Sequence, residues 1–306
     1  MARYRYNVVD VFTDTPLAGN QLAVFTDARG IPEDTLQPLA REMNFSETVF
    51  VYSTSGDAHA RIRIFTPEVE VPFAGHPTLG AAFVLGGPLQ LEVIRLETGR
   101  GVVPVLLERE GARIVFGRMQ QPIPTVEPYA DEAGLLAALD VVRSELPVEV
   151  YDNGLHHVFV TLGSEEEVAA LKPDLGRLAD DDELLGVNTI AGSGDRWKTR
   201  MFVPGGAIAE DPATGSAAGP LALHLARHGR IAFGDEIEIT QGVEIGRPSK
   251  LYARVEGSAE QVGLVEVGGS AVIVARGEFR LYSDNPWISG SSRARPLQNR
   301  PPSRER

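Results

Sequence analysis

The sequence predicts a duplicated architecture of mixed α and β content, with a cleft between two related halves. Two strand-to-helix units of similar wording lie about 135 residues apart. Phe65-Thr66-Pro67 leads to His76-Pro77, Gly80 and Ala82. Phe202-Val203-Pro204 leads to Asp211-Pro212, Gly215 and Ala217, with two residues fewer between the proline and the Asp. Each unit ends in a run of Gly, Ala, Ser, Thr and Leu that is apolar or small on every side, the composition of a buried helix rather than one laid on a surface. Around these units lie many short strand-like runs and few amphipathic segments. Repetition of a whole unit suggests pseudo-twofold symmetry, which would aim two helix amino ends at one cleft suited to a small anion.

Taken in order, Tyr4 to Phe12 reads as a first strand and Gly19 to Phe25 as a turn into a second. Leu36, Leu39 and Met43 mark a helix over 31–43, with Asn44 as its stop and Pro38 awkward inside it. Val49 to Tyr52 is β-branched and aromatic, and Ala60 to Phe65 alternates as a strand. The first buried helix follows and is closed by Gly86-Gly87. Leu91 to Arg118 reads as three strands with turns at Gly99 and Gly111. The proline-rich stretch 120–128 reads as a linker between halves spanning 1–119 and 128–275, the first completed by an element near 276–284. Beyond it come a helix near Asp131–Leu139, strands at 147–151 and 156–162, short helices at 165–171 and 173–178, and a strand at 199–203. The central motif then begins, with Asp211 read as helix N-cap and Pro212 as its first residue. Runs at 237–241, 249–255 and 264–274 continue the strands. Residues 285–306, dominated by Pro, Arg, Ser and Gly, read as a flexible basic tail.

Composition removes whole function classes. A chain of 306 residues with 43% hydrophobic content can hold one large domain or two ordinary ones. A net charge of −13 argues against nucleic acid or an anionic membrane as partner. No window nears the roughly 18 apolar residues of a membrane span. The start, Met-Ala-Arg-Tyr-Arg-Tyr, runs directly into a strand-like segment and does not resemble a signal peptide, so a cytoplasmic location is expected. The absence of cysteine excludes disulfides, thiolate nucleophiles and a two-cysteine proton shuttle. With six histidines, no HExxH and no close His/Asp cluster, neither a metal nor a cofactor is expected. Carboxylates, hydroxyls, imidazole and helix ends remain as chemical groups.

Glu47, at the mouth of a strand between apolar neighbours, is the candidate acid/base, because desolvation there raises a carboxyl pKa toward neutrality. On that ground alone it reads more readily as a solvated strand end. His76 before Pro77 and Asp211 before Pro212 read either as helix caps or as site residues, and Ser216 as a group bonded back to the preceding turn or as one facing a ligand.

The motifs as a set resemble the phenazine-biosynthesis isomerase (PhzF-like) family. They are Gly19-Asn20-x-Leu22-Ala23-Val24, Arg41 to Thr48, Phe73 to Thr78, Glu210 to Ala217, Gln241-Gly242-x-x-x-Gly246-Arg247-Pro248-Ser249 and Val267-Gly268-Gly269, in the family's order from about residue 4 to 283. The resemblance implies the α+β diaminopimelate-epimerase fold: two pseudo-symmetric halves, each a mixed, mostly antiparallel sheet curled around a central helix. It also implies Glu47 as acid/base, His76 and Asp211 as catalytic partners in the cleft, and Gly75, Gly215 and Ser216 as substrate-binding positions. The implied reaction is cofactor-independent isomerisation of trans-2,3-dihydro-3-hydroxyanthranilate, a small carboxylate, by a homodimer. Two other readings stand beside it: a related isomerase or epimerase acting on another small acid, and a non-catalytic small-molecule-binding protein.

Overall fold

The computed structural model describes residues 2–179, 186–204, 206 and 208–281. Residues 285–306, read above as a tail, lie outside them. The first half runs β1 (Ala2–Val11), β2 (Asn20–Phe25), α1 (Glu33–Met43), β3 (Glu47–Tyr52), β4 (Ala60–Phe65), β5 (Glu70–Val71), α2 (Gly75–Leu89), β6 (Val93–Thr98), β7 (Gly101–Glu110) and β8 (Arg113–Gln120). α1 stops at Asn44, which takes the left-handed conformation with φ 52°, as its short polar side chain permits. Pro38 sits inside α1, and Pro88 inside α2. The latter helix passes through Gly86-Gly87, where a stop was expected, and ends at Gln90 with φ 52°.

The second half repeats this grammar. It contains β9 (Thr125–Pro128), α3 (Glu132–Leu139), β10 (Glu149–Asp152), β11 (His156–Thr161), α4 (Glu165–Ala170) and α5 (Leu175–Leu178). β12 (Gly186–Ser193), β13 (Arg196–Phe202), β14 (Glu210–Asp211), α6 (Gly215–Arg227), β15 (Glu236–Gln241), β16 (Ser249–Gly257), β17 (Val262–Gly269) and β18 (Ala271–Leu281) follow. The stretch read as a linker contains β9, which pairs with β10. Its alternation is too short to show in sequence, and only the neighbouring strand gives it a partner.

Strand pairing shows the symmetry. In the first half the order is β1-β2-β3-β4-β6-β7-β8, with the β2–β3 and β4–β6 contacts parallel and the rest antiparallel. In the second it is β10-β11-β12-β13-β15-β16-β17, with β11–β12 and β13–β15 parallel. β8 and β17 join the halves antiparallel. The outer strands are exchanged: β18, at the end of the chain, flanks β1, and β9, leaving the first half, flanks β10.

Each half wraps a helix. α2 packs against β1, β2, β6, β7 and β8, and α6 against β11, β16 and β17. All of α6 from Gly215 to Ala226 is buried, which its small and aliphatic residues allow without stranding a charge. The sequence placed Asp211 as N-cap of this helix and Pro212 as its first residue. The structure corrects this: α6 begins at Gly215 after Thr214, and Asp211 belongs to β14. An Asp-Pro pair also suits an extended approach, since a residue before proline is biased away from the helical region.

The register of the duplication moves with it. β3–β4–β5 aligns Val49, Ile64 and Val71, and β12–β13–β14 aligns Asn188, Met201 and Asp211. Asp211 is therefore the counterpart of Val71, and Ser216, not Asp211, is the counterpart of His76.

A buried ion pair helps tie the halves. Arg247 donates to Asp10 Oδ1 (2.6 Å) and to the carbonyls of Ala18 (2.8 Å) and Gly19 (2.9 Å). Asp10 is 1% exposed. Arg247→Met should cost about 3 kcal/mol in chemical denaturation, because it leaves a buried carboxylate without its cation. An unchanged denaturation midpoint would show that the pair adds nothing to stability.

Candidate active site

The two central helices meet end to end. A Cβ added to Gly75 would lie 2.6 Å from the Gly215 carbonyl carbon and 2.6 Å from the Ser216 nitrogen, and one added to Gly215 would lie 3.0 Å from the His76 nitrogen. Only glycine lets the backbones approach this closely. The first-turn N–H groups of both helices, which have no intrahelical acceptors, are thereby gathered at one place, where the two macrodipoles favour an anion.

Beside this junction is a cavity of about 120 Å³ lined by Ser46, Glu47, Val71, His157, Met201, Asp211, Thr214 and Ser216, among others. A wider groove of about 660 Å³ runs along Leu139–Arg143 and Gly163–Lys172. Its ionisable residues Asp140, Arg143, Glu145, Glu167 and Lys172 are exposed, so it offers no desolvated acid or base. The smaller cavity is the candidate site.

Glu47 opens β3, and its side chain is 17% exposed. Oε2 lies 3.3 Å from His76 Nδ1, but no hydrogen-bond partner for it is found among the described residues. Burial, and then the nearby Asp211 charge, push the Glu47 carboxyl well above its usual 4.5. Asp211 is also raised by burial, but three donors oppose that shift: Thr214 Oγ1 at 2.6 Å, Ser46 Oγ at 2.9 Å and Asn20 Nδ2 at 3.0 Å. Of the two, Asp211 is the better-held anion and Glu47 the one that keeps or takes a proton near neutrality.

His76, the second residue of α2, is 3% exposed, and burial lowers it to about 3, with the Gln21 backbone opposing the shift. It is a neutral imidazole at physiological pH. Asn20 Nδ2 lies 3.3 Å from its Nδ1 while also donating to Asp211 Oδ1 and to the Ala213 carbonyl (2.9 Å). The two shorter contacts use both amide hydrogens, so Asn20 has none left for His76 Nδ1, which faces the Glu47 carboxyl beside it. Gln241 fixes the outer side. Its Oε1 accepts from Thr214 N (3.0 Å), and its Nε2 donates to Thr214 Oγ1 (2.9 Å) and to the Asp211 carbonyl (2.8 Å).

All six residues singled out in the sequence are therefore close together: Glu47, His76 and Asp211 as a polar centre, Gly75 and Gly215 at the helix junction, and Ser216 on the cavity wall. Asn20, Ser46, Thr214 and Gln241 lay in the motifs without an assigned role. His157 was missed. It is 0% exposed, its Nε2 is 3.1 Å from Ser216 Oγ, and burial lowers it to about 3. A histidine inside an otherwise apolar strand, His157-Val158-Phe159-Val160, was the available signal.

The duplication explains its position. Leu22 pairs with Glu47 in the first half, and His157 pairs with Gly186 in the second. Gly186 is thus the counterpart of Glu47. A Cβ there would run into the Met201 methyl and lie 3.6 Å from His157 Nδ1. The scaffold is symmetric and the chemistry is not: one half supplies an acid at this position, and the other fills the space with Met201 and a neutral imidazole.

Comparison with known proteins gives a consistent result. A family model described as "Phenazine biosynthesis-like protein" matches residues 9–277. The chain is 52% identical over 278 residues to the trans-2,3-dihydro-3-hydroxyanthranilate isomerase of Pseudomonas aeruginosa, covering 91% of this chain and 100% of that one. Among solved structures, a PhzF-family phenazine biosynthesis protein from Bacillus anthracis superimposes with a TM-score of 0.81 at 24% identity, over 92% of this chain and 100% of the other. A predicted epimerase from Pseudomonas aeruginosa gives 0.78 at 30% identity, over 91% and 100%.

Proposed function

The chain belongs to the phenazine biosynthesis-like protein family, and from that premise we propose that it is a trans-2,3-dihydro-3-hydroxyanthranilate isomerase in which Glu47 moves the proton. The observation that supports this role is a buried carboxyl with a raised pKa and an unpartnered oxygen, set in a cavity beside two converging helix amino ends. The substrate carboxylate would rest against the first-turn N–H groups near Gly75 and Gly215, where fixed dipoles stabilise charge that develops as the proton moves. Asp211, held as an anion by Thr214, Ser46 and Asn20, would bind the amino group. His76, a neutral imidazole, would hydrogen-bond the hydroxyl group. The Glu47 carboxylate would take the C3 proton and return a proton to C1, the ring electrons shifting between them to give an enol that tautomerises to the ketone. Glycine at the position equivalent to Glu47 supports a single group acting at both carbons, and a raised pKa suits a group that must accept and then release a proton.

The test is NMR in D2O with trans-2,3-dihydro-3-hydroxyanthranilate. Deuterium should enter the ring as the ketone forms, and an unreacted substrate would reject the assignment.

The pH dependence has a definite sign. Glu47 must be ionised to accept the first proton, so kcat/KM should rise with pH through its raised pKa, with a midpoint well above 4.5. Asp211→Asn removes the nearby negative charge that contributes to the raised value. Whatever it does to the maximum rate, it should move the acid limb to lower pH. A limb that stays in place would assign the titration to another group.

Among the described residues no helix is long and apolar enough to cross a membrane. With the acidic composition, this supports a cytoplasmic enzyme as part of the same proposal.

A further inference from the structure

The far end of α6 carries a second cluster of ionisable groups. Ser216 opens the helix at the cavity, and His224 lies eight residues further along it, about 12 Å away at 1.5 Å per residue. His224 and His228 are four residues apart and project from one face, which meets Glu149 and Tyr151 of β10. Glu149 Oε2 lies 3.4 Å from His224 Nδ1 and 2.9 Å from His228 Nε2, and all three atoms fall within 4.8 Å of one another. Three donors of a tetrahedral zinc ion, at bonds of about 2.0–2.2 Å, stand roughly 3.3 Å apart. The edges that involve Glu149 bracket that value.

The protonation states and the local field agree. A neutral imidazole has a lone pair on one ring nitrogen, so His224 Nδ1 and His228 Nε2 become metal donors once the ring hydrogen that faces Glu149 moves to the opposite nitrogen. The Tyr151 hydroxyl and the Arg227 guanidinium both face the Glu149 carboxylate. Arg227 reaches the other carboxylate oxygen, Oε1, at 3.4 Å, which leaves Oε2 to the imidazoles. Tyr151 Oη, 2.8 Å from Oε2, is placed to orient that oxygen from outside the ligand set. The carboxyl end of α6 is also the end at which the helix dipole favours a cation.

We propose that Glu149, His224 and His228 form a binding site for a divalent transition-metal ion of the zinc class, which fastens the carboxyl end of α6 to β10. Two imidazoles and one carboxylate suit such an ion, and a helical pair of histidines four residues apart presents both to one point. The sequence did not show this because Glu149 is more than 70 residues from its partners.

The experiment uses the full chain after chelator treatment. Zn²⁺ is titrated calorimetrically, and Co²⁺ by its visible absorption. Binding of one equivalent, a tetrahedral Co²⁺ spectrum and a raised unfolding midpoint with Zn²⁺ are expected. His228→Gln and Glu149→Gln should each weaken Zn²⁺ by more than the roughly 10–100-fold that loss of an outer partner costs. His228 is partly exposed and the glutamine in place of Glu149 keeps its shape, so thermal melts will show folded variants. Absence of saturable binding, or affinity unchanged in both folded variants, overturns the proposal and leaves a hydrogen-bonded cluster only.

Discussion

Glu47→Gln should fold, bind ligand and fail to turn over. Glutamine keeps the shape of the side chain and cannot accept the ring proton. Loss of a positioned acid/base typically costs on the order of 10²–10⁴ in rate, or about 3–5 kcal/mol of barrier. Stability should change in the other direction. A carboxyl raised in the fold holds its proton where the unfolded chain has released it, so folding stability is present at low pH and is lost as pH rises from 4.5 through the raised value. Removing the carboxyl removes that loss. The variant should therefore unfold at the same or a higher temperature than wild type near neutral pH. Calorimetric ligand titration, thermal melts and the D2O exchange experiment together distinguish a chemical defect from a folding one. Wild-type turnover in a folded Glu47→Gln protein would end the assignment of this residue.

Gly75→Ala should be among the most damaging single-methyl changes in the chain. Its new Cβ would stand 2.6 Å from backbone atoms of Gly215 and Ser216, at the start of the opposing central helix. Side chains can swing aside, whereas two helix ends locked in sheets cannot. Overpacking of this kind typically costs about 1–3 kcal/mol, and here it should reach the upper figure. Because these first turns also form the proposed carboxylate site, kcat/KM should fall as well. Gly87→Ala, in the same helix, is the control. Nothing lies within 4 Å of its added Cβ, so the gain in helix propensity should leave stability unchanged or raise it by about 0.5–1 kcal/mol. If denaturation curves for Gly75→Ala and Gly87→Ala coincide, the helix ends do not meet as described.

The candidate site was legible where one residue needs little context. Glu47 beside apolar neighbours already suggested a pKa raised by desolvation, and the structure adds a second cause, the Asp211 charge. Gly75 and Gly215 could be singled out in sequence, but their contact with each other could not. Asn20, Ser46 and Gln241 were visible as parts of motifs. Their work, fixing Asp211 and Thr214 by hydrogen bonds, depends on distances of 2.8–3.0 Å between segments up to 191 residues apart. Proline misled the reading of α6. Asp211-Pro212 fits a helix start and an extended strand equally well locally, and only the pairing of Asp211 with Met201 decides between them.

By itself the sequence determined the chemical repertoire, because composition is independent of folding: no thiol, an acidic surface, and carboxylate, imidazole and helix ends as the available groups. It also determined the strand-rich character and the two buried helices, since local alternation and all-round small residues restrict how a segment can be solvated. The tertiary structure alone decided which strands pair, including β18 with β1 at opposite ends of the described chain, and hence the true register of the duplication. That register places Gly186 opposite Glu47 and Asp211 opposite Val71. Long-range pairing is selected by the burial of whole faces and the satisfaction of backbone groups, and neither quantity exists until the chain has closed on itself.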